Sequence, residues 1–165
     1  MEISDNKSVI DFIEIATKYC QLIENVDNKT QTQFLQEVFV LLPQLCVCGI
    51  RLPETHELSA YKIPEISNEQ WNDLSTFGQK LEGRDFYWEI SDPYKENHEP
   101  MGGLLSDDFL GIYRDIKPGL QNWEKTNEDT ERHDIIWEWK FSFETHWGEH
   151  STSAFRVLYH WLYRS

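Results

Sequence analysis

The chain has 165 residues, a formal net charge of −14 and an aromatic content of 14%. This length fits one domain over residues 1–165, and so many aromatic side chains argue against a disordered chain. The charge repels phosphate backbones and anionic membrane surfaces, so we expect no nucleic-acid or membrane partner and favour a basic protein partner.

Capping signals and apolar periodicity predict two helices at the start of the chain. Ser8 and Asp11 form a capping signal, and the apolar spacing behind them predicts a first helix over 8–26. Thr30 and Gln33 have the spacing of a capping box, and a wide apolar stripe predicts a second helix buried on more than one side. The short connection between the two helices makes them antiparallel neighbours.

A third helix and an irregular segment follow. Ser67 and Gln70 again have capping-box spacing and open the third predicted helix. Aromatic residues crowd the segment 84–92, which is short enough to be a strand. A lone strand has no partner, so we expect an extended segment that packs its rings on the helices. The stretch 93–103, which contains prolines and glycines, is expected to be a solvated loop.

The fourth predicted helix begins with acidic residues. Ser106 supplies a cap, and Asp107 and Asp108 lie in the first turn, where carboxylates interact favourably with the helix dipole. An apolar stripe continues from there. The pair Pro118-Gly119 is expected to end this helix.

The fifth predicted helix contains three of the seven tryptophans. Thr126 with Asp129 predicts its cap. A stripe at about 100° per residue predicts a buried face made of Ile135, Ile136, Trp139, Phe143, His146 and Trp147. The segment 137–143 also alternates with period two, which is a strand signal, but the cap and the stripe favour helix. Gly148 either breaks or kinks this helix, and a sixth helix follows from about Ala154.

The predicted fold is all-α, an antiparallel bundle of about six helices with an irregular aromatic-rich segment between the third and fourth.

The cysteines and the N-terminus indicate a cytoplasmic protein. The count of three is odd, and Cys46 and Cys48 are too close in sequence for an ordinary bridge, so a disulfide framework does not fit. Cys20 and Cys46 fall on apolar helix faces, which is typical of buried thiols in a reducing compartment. The first residues lack the pattern of a signal peptide, and no stretch approaches the ~18 apolar residues of a membrane span.

His146 and His150 are candidate metal ligands. They lie four residues apart, so one continuous helix would project both from the same face. A zinc or iron site usually has a third protein ligand and an open position. Asp108 of the fourth predicted helix is the candidate, with Asp107 and Asp115 as alternatives and His133 as a weaker one. If no metal binds, one histidine is a hydrogen-bonded core residue and the other lies at a helix junction.

A pocket is expected where the start of the fourth helix meets the junction of the fifth and sixth. Its candidate lining residues are Asp107, Tyr113, Arg114 and Trp147. A carboxylate that met a histidine there would provide general acid–base chemistry. The alternative is structural: Asp107 and Asp108 interact with the helix dipole, and Arg114 pairs with a carboxylate of a neighbouring helix. The sequence contains no nucleophile elbow and no phosphate-binding glycine loop, so no catalytic residue is assigned.

Three sequence blocks carry a family resemblance, and the last block is the most specific. They are Trp71-x-x-Leu74-x-x-x-Gly78 followed by Tyr87 and Asp92-Pro93; Ser106-Asp107-Asp108-x-x-x-Ile112-Tyr113-Arg114-Asp115-Ile116-Lys117-x-Gly119-Leu120; and Trp137-x-Trp139-x-Phe141-x-Phe143-Glu144-x-His146-Trp147-Gly148-x-His150. Together they resemble an uncharacterised bacterial family of small proteins, a domain of unknown function. The resemblance implies an intracellular, mainly helical protein and supplies no activity.

Two functions from different classes fit these features. The acidic charge, the aromatic content and the lack of a complete catalytic set favour a non-catalytic binding or protein-interaction module with a basic protein partner. The alternative is a metal-dependent enzyme that uses His146 and His150 with a carboxylate of the fourth helix. The first function needs no cofactor, and the second needs zinc or iron.

Overall fold

The computed structural model describes residues 3–59, 61–90, 92–96 and 99–164. These residues are mainly helical, with five long α-helices, two short α-helices, two 3-10 helices (Ile3–Asp5 and Val26–Asn28) and one two-stranded antiparallel sheet. The elements in chain order are α1 Lys7–Glu24, α2 Gln31–Arg51, α3 Asn68–Asp73, α4 Phe77–Lys80, β1 Phe86–Glu89, β2 Met101–Leu104, α5 Leu105–Trp123, α6 Asp129–Ser142 and α7 Gly148–Tyr163. A π-helical segment, Phe143–Trp147, joins α6 to α7.

The core is built around α5, which has more buried residues than any other described helix. α5 packs against α1, α6 and α7, while α2 packs against α1 and α7. Large rings fill the centre, where the Phe12 ring centroid lies 4.9 Å from that of Trp139 and 6.2 Å from that of Trp147. Burial of these rings removes a large apolar area from water and stabilises the packing of the helices.

Short-range capping signals locate two helix starts correctly. The capping boxes predicted at Thr30 and Ser67 are both present, at the starts of α2 and α3. α1 differs, because Asn6 is its cap and accepts the Ser8 N–H at 2.9 Å. The third predicted helix is divided into two short helices, α3 and α4.

The mean hydropathy of α2 over its whole length is higher than its predicted apolar stripe suggested. By length and composition alone this helix could cross a membrane, whereas no such stretch was expected. The core helix of a soluble protein and a signal sequence near the N-terminus meet the same criterion. Phe34, Leu35 and Val38 of α2 are fully buried against the rest of the protein.

The β-hairpin corrects the all-α prediction. β1 pairs antiparallel with β2 in a register that places Tyr87 opposite Gly103. The segment 84–92 therefore does have a strand partner, which lies at the far end of the predicted loop. A Cβ at Gly102 would lie 2.7 Å from the Phe86 ring, and one at Gly103 would lie 2.5 Å from the Tyr87 ring. Glycine fits on β2 because the rings of β1 cover the neighbouring strand.

Pro118 and Gly119 do not end the fourth predicted helix. α5 continues through both residues to Trp123. The Asn122 side chain donates to the Pro118 carbonyl at 2.7 Å, and Gly119 lies directly under the Trp139 ring, where a side chain would not fit. Close packing of α5 against α6 therefore overrides the local helix-breaking signal.

One continuous helical run extends from α6 to α7. Gly148 has helical dihedral angles and does not break the run. A Cβ at Gly148 would collide with the carbonyl oxygen of Phe143, so the wider π-helical turn requires glycine here. The helix prediction over 137–143 is confirmed. Thr126 is not the N-cap of α6; its Oγ1 accepts the Glu128 N–H at 3.1 Å in the preceding turn.

Candidate functional site

Two histidines of this helical run form one cluster with two aspartates of α5. The Nδ1 of His146 lies 2.5 Å from Asp115 Oδ2, and the Nδ1 of His150 lies 2.8 Å from Asp108 Oδ1. The two Nε2 atoms face each other at 3.2 Å. The contacts follow the order Asp115, His146, His150, Asp108, and these four residues are called the His–Asp cluster below.

The helices fix the geometry of the His–Asp cluster. Asp108 and Asp115 are two turns apart on α5 and therefore lie on the same face of that helix. His146 lies in the π-helical segment, a feature that is frequent at functional sites. Gly111 lies between the two aspartates, and a Cβ there would be only 3.1 Å from His150 Nε2. The missing side chain lets the His150 ring lie directly on α5.

Burial and a hydrogen bond from β1 hold the Asp108 end of the cluster. Asp108 is buried, and the Tyr87 hydroxyl donates to its Oδ2 at 2.7 Å. Burial raises the pKa of Asp108, while the hydrogen bonds from His150 and Tyr87 oppose this rise. The hydrogen bond to Asp108 raises the pKa of His150 against the opposing effect of burial. The hairpin, which was not predicted from the sequence, thus supplies Tyr87 to the site.

The structure brings the three predicted metal residues together, in an arrangement that the sequence did not specify. Asp108 contacts the Nδ1 of His150 and not the side where the two Nε2 atoms meet. Among the residues that the structure describes, no group of three or more His, Cys, Asp or Glu side chains is placed to hold a metal ion. The carboxylates occupy the outer positions that orient an imidazole, and the two Nε2 atoms face each other.

The four residues predicted to line a pocket lie in different places. Asp107 is exposed in the first turn of α5. Tyr113 is buried and its hydroxyl donates to Glu24 Oε1 at 2.8 Å, on the α1 side. Trp147 is fully buried and its indole N–H donates to a carbonyl of α6 at 3.2 Å. Arg114 is exposed and lines a separate cavity. These four residues therefore do not form one pocket.

This separate cavity, called the α5–α6 cavity below, has a volume of about 660 Å³. It is bounded by α5, α6 and the segment 57–71, of which residues 57–59 and 61–71 are described and the last four belong to α3. Its acidic lining residues are Glu57, Glu65, Asp115, Asp134 and Glu138, and its basic ones are Lys62 and Arg114. Its partly exposed aromatic lining residues are Tyr61, Trp71 and Trp137. Before α3 this segment is polar and has no helical or strand period, so sequence spacing offers little signal that it forms a wall.

Asp134 attaches this segment to α6. Its buried carboxylate accepts the backbone N–H of Leu58 at 2.6 Å and that of Ser59 at 3.2 Å. The Ser59 hydroxyl donates to the same carboxylate. Further along, the Tyr61 hydroxyl donates to Asn122 Oδ1 at 3.1 Å. The wall of the cavity is therefore fixed by hydrogen bonds to both α5 and α6.

The carboxylates of the α5–α6 cavity repel one another. Burial raises the pKa of Glu138, and the nearby negative charges of Asp115 and Glu57 raise it further. A cation bound in the cavity would relieve this repulsion. The electrostatics of the cavity therefore favour positively charged ligands over neutral or anionic ones.

We expect Glu138→Gln to raise the melting temperature at neutral pH. The folded-state pKa of Glu138 is raised, so this carboxyl favours the folded state at low pH, and that contribution is lost as the pH rises through the folded pKa. Thermal melts between about pH 4 and pH 8 should show a stabilisation at the upper end that shrinks toward the lower end. Glu82→Gln, at an exposed position, is the control. A Glu138→Gln protein that melts below the wild type at neutral pH would contradict the expectation.

The described residues form a mainly helical protein with one small hairpin. The chain is a member of the family described as domain of unknown function DUF5063, which matches residues 4–164. This membership confirms the resemblance seen in the three sequence blocks.

A solved structure supports the same fold. The chain is similar to protein BF1032 from Bacteroides fragilis, known from a crystal structure, with a TM-score of 0.86 and 19% sequence identity over 99% of this chain and 98% of that one. Identity at this level shows the fold alone. No curated protein matches the chain.

Proposed function

We propose that this protein is a non-catalytic binding protein whose α5–α6 cavity receives a cationic side chain of a basic protein partner. The observation that carries the proposal is the cavity wall, which combines carboxylates with partly exposed aromatic rings. Carboxylates form charge-assisted hydrogen bonds with ammonium or guanidinium groups, and ring faces attract the same groups by cation–π interaction. Both kinds of contact would stabilise a bound cationic side chain.

The dimensions and exposure of the cavity support this function. A volume of about 660 Å³ falls within the usual range for ligand-binding sites. Trp71 is 38% exposed, and Glu57 and Glu65 are exposed as well, so a partner reaches them without rearranging the core. Lys62 and Arg114 repel a bound cation from their part of the wall and restrict where it docks.

The charge and cysteine chemistry of the chain support a cytoplasmic protein partner. A net charge of −14 accelerates encounters with a basic protein and repels nucleic acids. Cys20, Cys46 and Cys48 all form no disulfide, which is typical of a reducing compartment.

The test is the binding of a lysine- and arginine-rich peptide to the untagged protein, measured by calorimetry with a chelator present. We expect Glu57→Gln/Glu138→Gln to weaken binding about tenfold, because two carboxylates that contact the cation are lost. The matched control is Glu82→Gln/Glu128→Gln, which removes the same charge from exposed positions outside the cavity and should change the affinity by less than about twofold.

Two results would refute this function. In one, the peptide does not bind the wild-type protein at low salt. In the other, both double variants weaken binding equally, which would mean that the attraction comes from net charge and not from the cavity. A partner captured from host extract should likewise be retained by the control variant and lost from Glu57→Gln/Glu138→Gln.

A further inference from the structure

We propose that His146 and His150 bind one divalent transition-metal ion of the zinc class through their two Nε2 atoms. This site adjoins the α5–α6 cavity, because Asp115 both lines that cavity and contacts His146, but it takes a metal ion on the two histidines and not an organic cation. Asp108 and Asp115 are not metal ligands in this proposal. They accept hydrogen bonds from the outer nitrogen of each ring and so orient the two imidazoles toward the ion.

The hydrogen bonds around the rings point to a cation between them. Each Nδ1 lies within hydrogen-bonding distance of a carboxylate, so each Nδ1 carries the proton that the carboxylate accepts. A neutral imidazole protonated on Nδ1 has a lone pair on Nε2. The Nε2 atoms of His146 and His150 are 3.2 Å apart, so either one shared proton or a metal cation lies between the two nitrogens.

The separation of the two nitrogens suits two ligands of one ion. Zinc–nitrogen bonds are about 2.0–2.1 Å long, so two imidazole nitrogens at a tetrahedral angle lie about 3.3–3.4 Å apart. The separation in the His–Asp cluster, 3.2 Å, is close to this value. A carboxylate on the outer nitrogen of each ring is also the usual support of a zinc-bound histidine.

Charge balance favours a divalent ion over a shared proton. With both imidazoles neutral, the carboxylates of Asp108 and Asp115 leave the cluster with two negative charges. A single shared proton neutralises one of them, whereas a divalent ion neutralises both. Asp108 is only 4% exposed, and an uncompensated charge is costly in such a place.

The rings are accessible to an ion from solvent. The His146 side chain is 40% exposed and that of His150 is 21% exposed. No third His, Cys, Asp or Glu side chain among the described residues completes a ligand set, so water molecules occupy the remaining positions. The ion therefore keeps exchangeable positions that an outside ligand can enter.

The test is calorimetric titration of Zn²⁺ into the untagged, chelator-treated protein. We expect one ion per chain, with affinity lowered at least about tenfold by His146→Ala or His150→Ala. Asp115→Ala removes the outer acceptor of His146 and should lower the affinity about 10–100-fold. The matched control is His160→Ala, an exposed histidine of α7, which should stay within about twofold of the wild type.

A second measurement does not depend on the folding of any variant. Long-range ¹H–¹⁵N spectra of the wild-type protein should show the Nε2 signals of His146 and His150 shifting together with Zn²⁺, while those of His160 stay in place. The proposal is overturned if the wild type takes up no stoichiometric zinc, if His160→Ala weakens binding as much as His146→Ala, or if one Nε2 keeps a proton that excess zinc does not displace. None of these results affects the cavity proposal, because peptide binding is measured without metal.

Discussion

Replacing Trp139 by alanine is expected to lower the free energy of unfolding by about 3–5 kcal/mol. The Trp139 side chain is fully buried. Its ring contacts Phe12 of α1, with centroids 4.9 Å apart, and its Nε1 donates to the Ile116 carbonyl of α5 at 3.2 Å. Gly119 leaves the space that the ring occupies. Truncation therefore opens a cavity where α1, α5 and α6 meet, and the surrounding helices can close it only in part.

Urea denaturation followed by circular dichroism measures this effect, together with a melting temperature that should fall by about 6–20 °C. Trp88→Ala is the matched control, since Trp88 is 66% exposed and its truncation should cost less than about 1 kcal/mol. Equal destabilisation by the two substitutions would show that Trp139 has no special part in joining the three helices.

Replacing Asp134 by alanine is expected to release the wall of the α5–α6 cavity from α6. The substitution removes the acceptor of the Leu58 and Ser59 N–H groups and of the Ser59 hydroxyl. We expect a loss of about 1–3 kcal/mol in the free energy of unfolding, because groups arranged around this carboxylate lose their partner. The segment 57–71 then opens locally, and the peptide affinity of the cavity falls with it.

Hydrogen–deuterium exchange locates the change. Backbone amides of the segment 57–71 should exchange at least about tenfold faster in Asp134→Ala, whereas those of α1 should be unchanged. Asp134→Asn keeps one acceptor oxygen and should lie between the wild type and the alanine variant. Asp129→Ala, an exposed position on the same helix, is the control. Unchanged exchange in this segment would mean that other contacts hold the wall.

The helices and the candidate residues could be predicted from the sequence because their signals are local. The capping boxes at Thr30 and Ser67 were correct, since each joins side chains and backbone groups three residues apart. The spacing of His146 and His150 singled out the two rings that meet in the His–Asp cluster. Acidic residues at the start of the fourth predicted helix included the carboxylate that His150 contacts, although spacing alone did not say which nitrogen it would meet.

Local signals failed where a residue far away in the sequence forms the contact that a neighbouring residue was predicted to form. Ser106 was predicted to cap its helix, but it lies inside α5, where its N–H donates to Asp85 Oδ1 at 2.7 Å. The π-helical segment and the helical passage through Gly148 depend on how α6 and α7 pack, which no single-residue preference specifies.

The sequence by itself determined the acidic charge, the family membership, the mainly helical fold and the histidine pair, because composition, motif and period are properties of neighbouring residues. Only the tertiary structure decided the β1–β2 pairing, the attachment of the segment 57–71 by Asp134, and the placement of a carboxylate behind each imidazole. Each of these contacts joins residues far apart in the chain. Their partners are selected by the packing of whole helices and strands, and that selection leaves no period or spacing in the sequence.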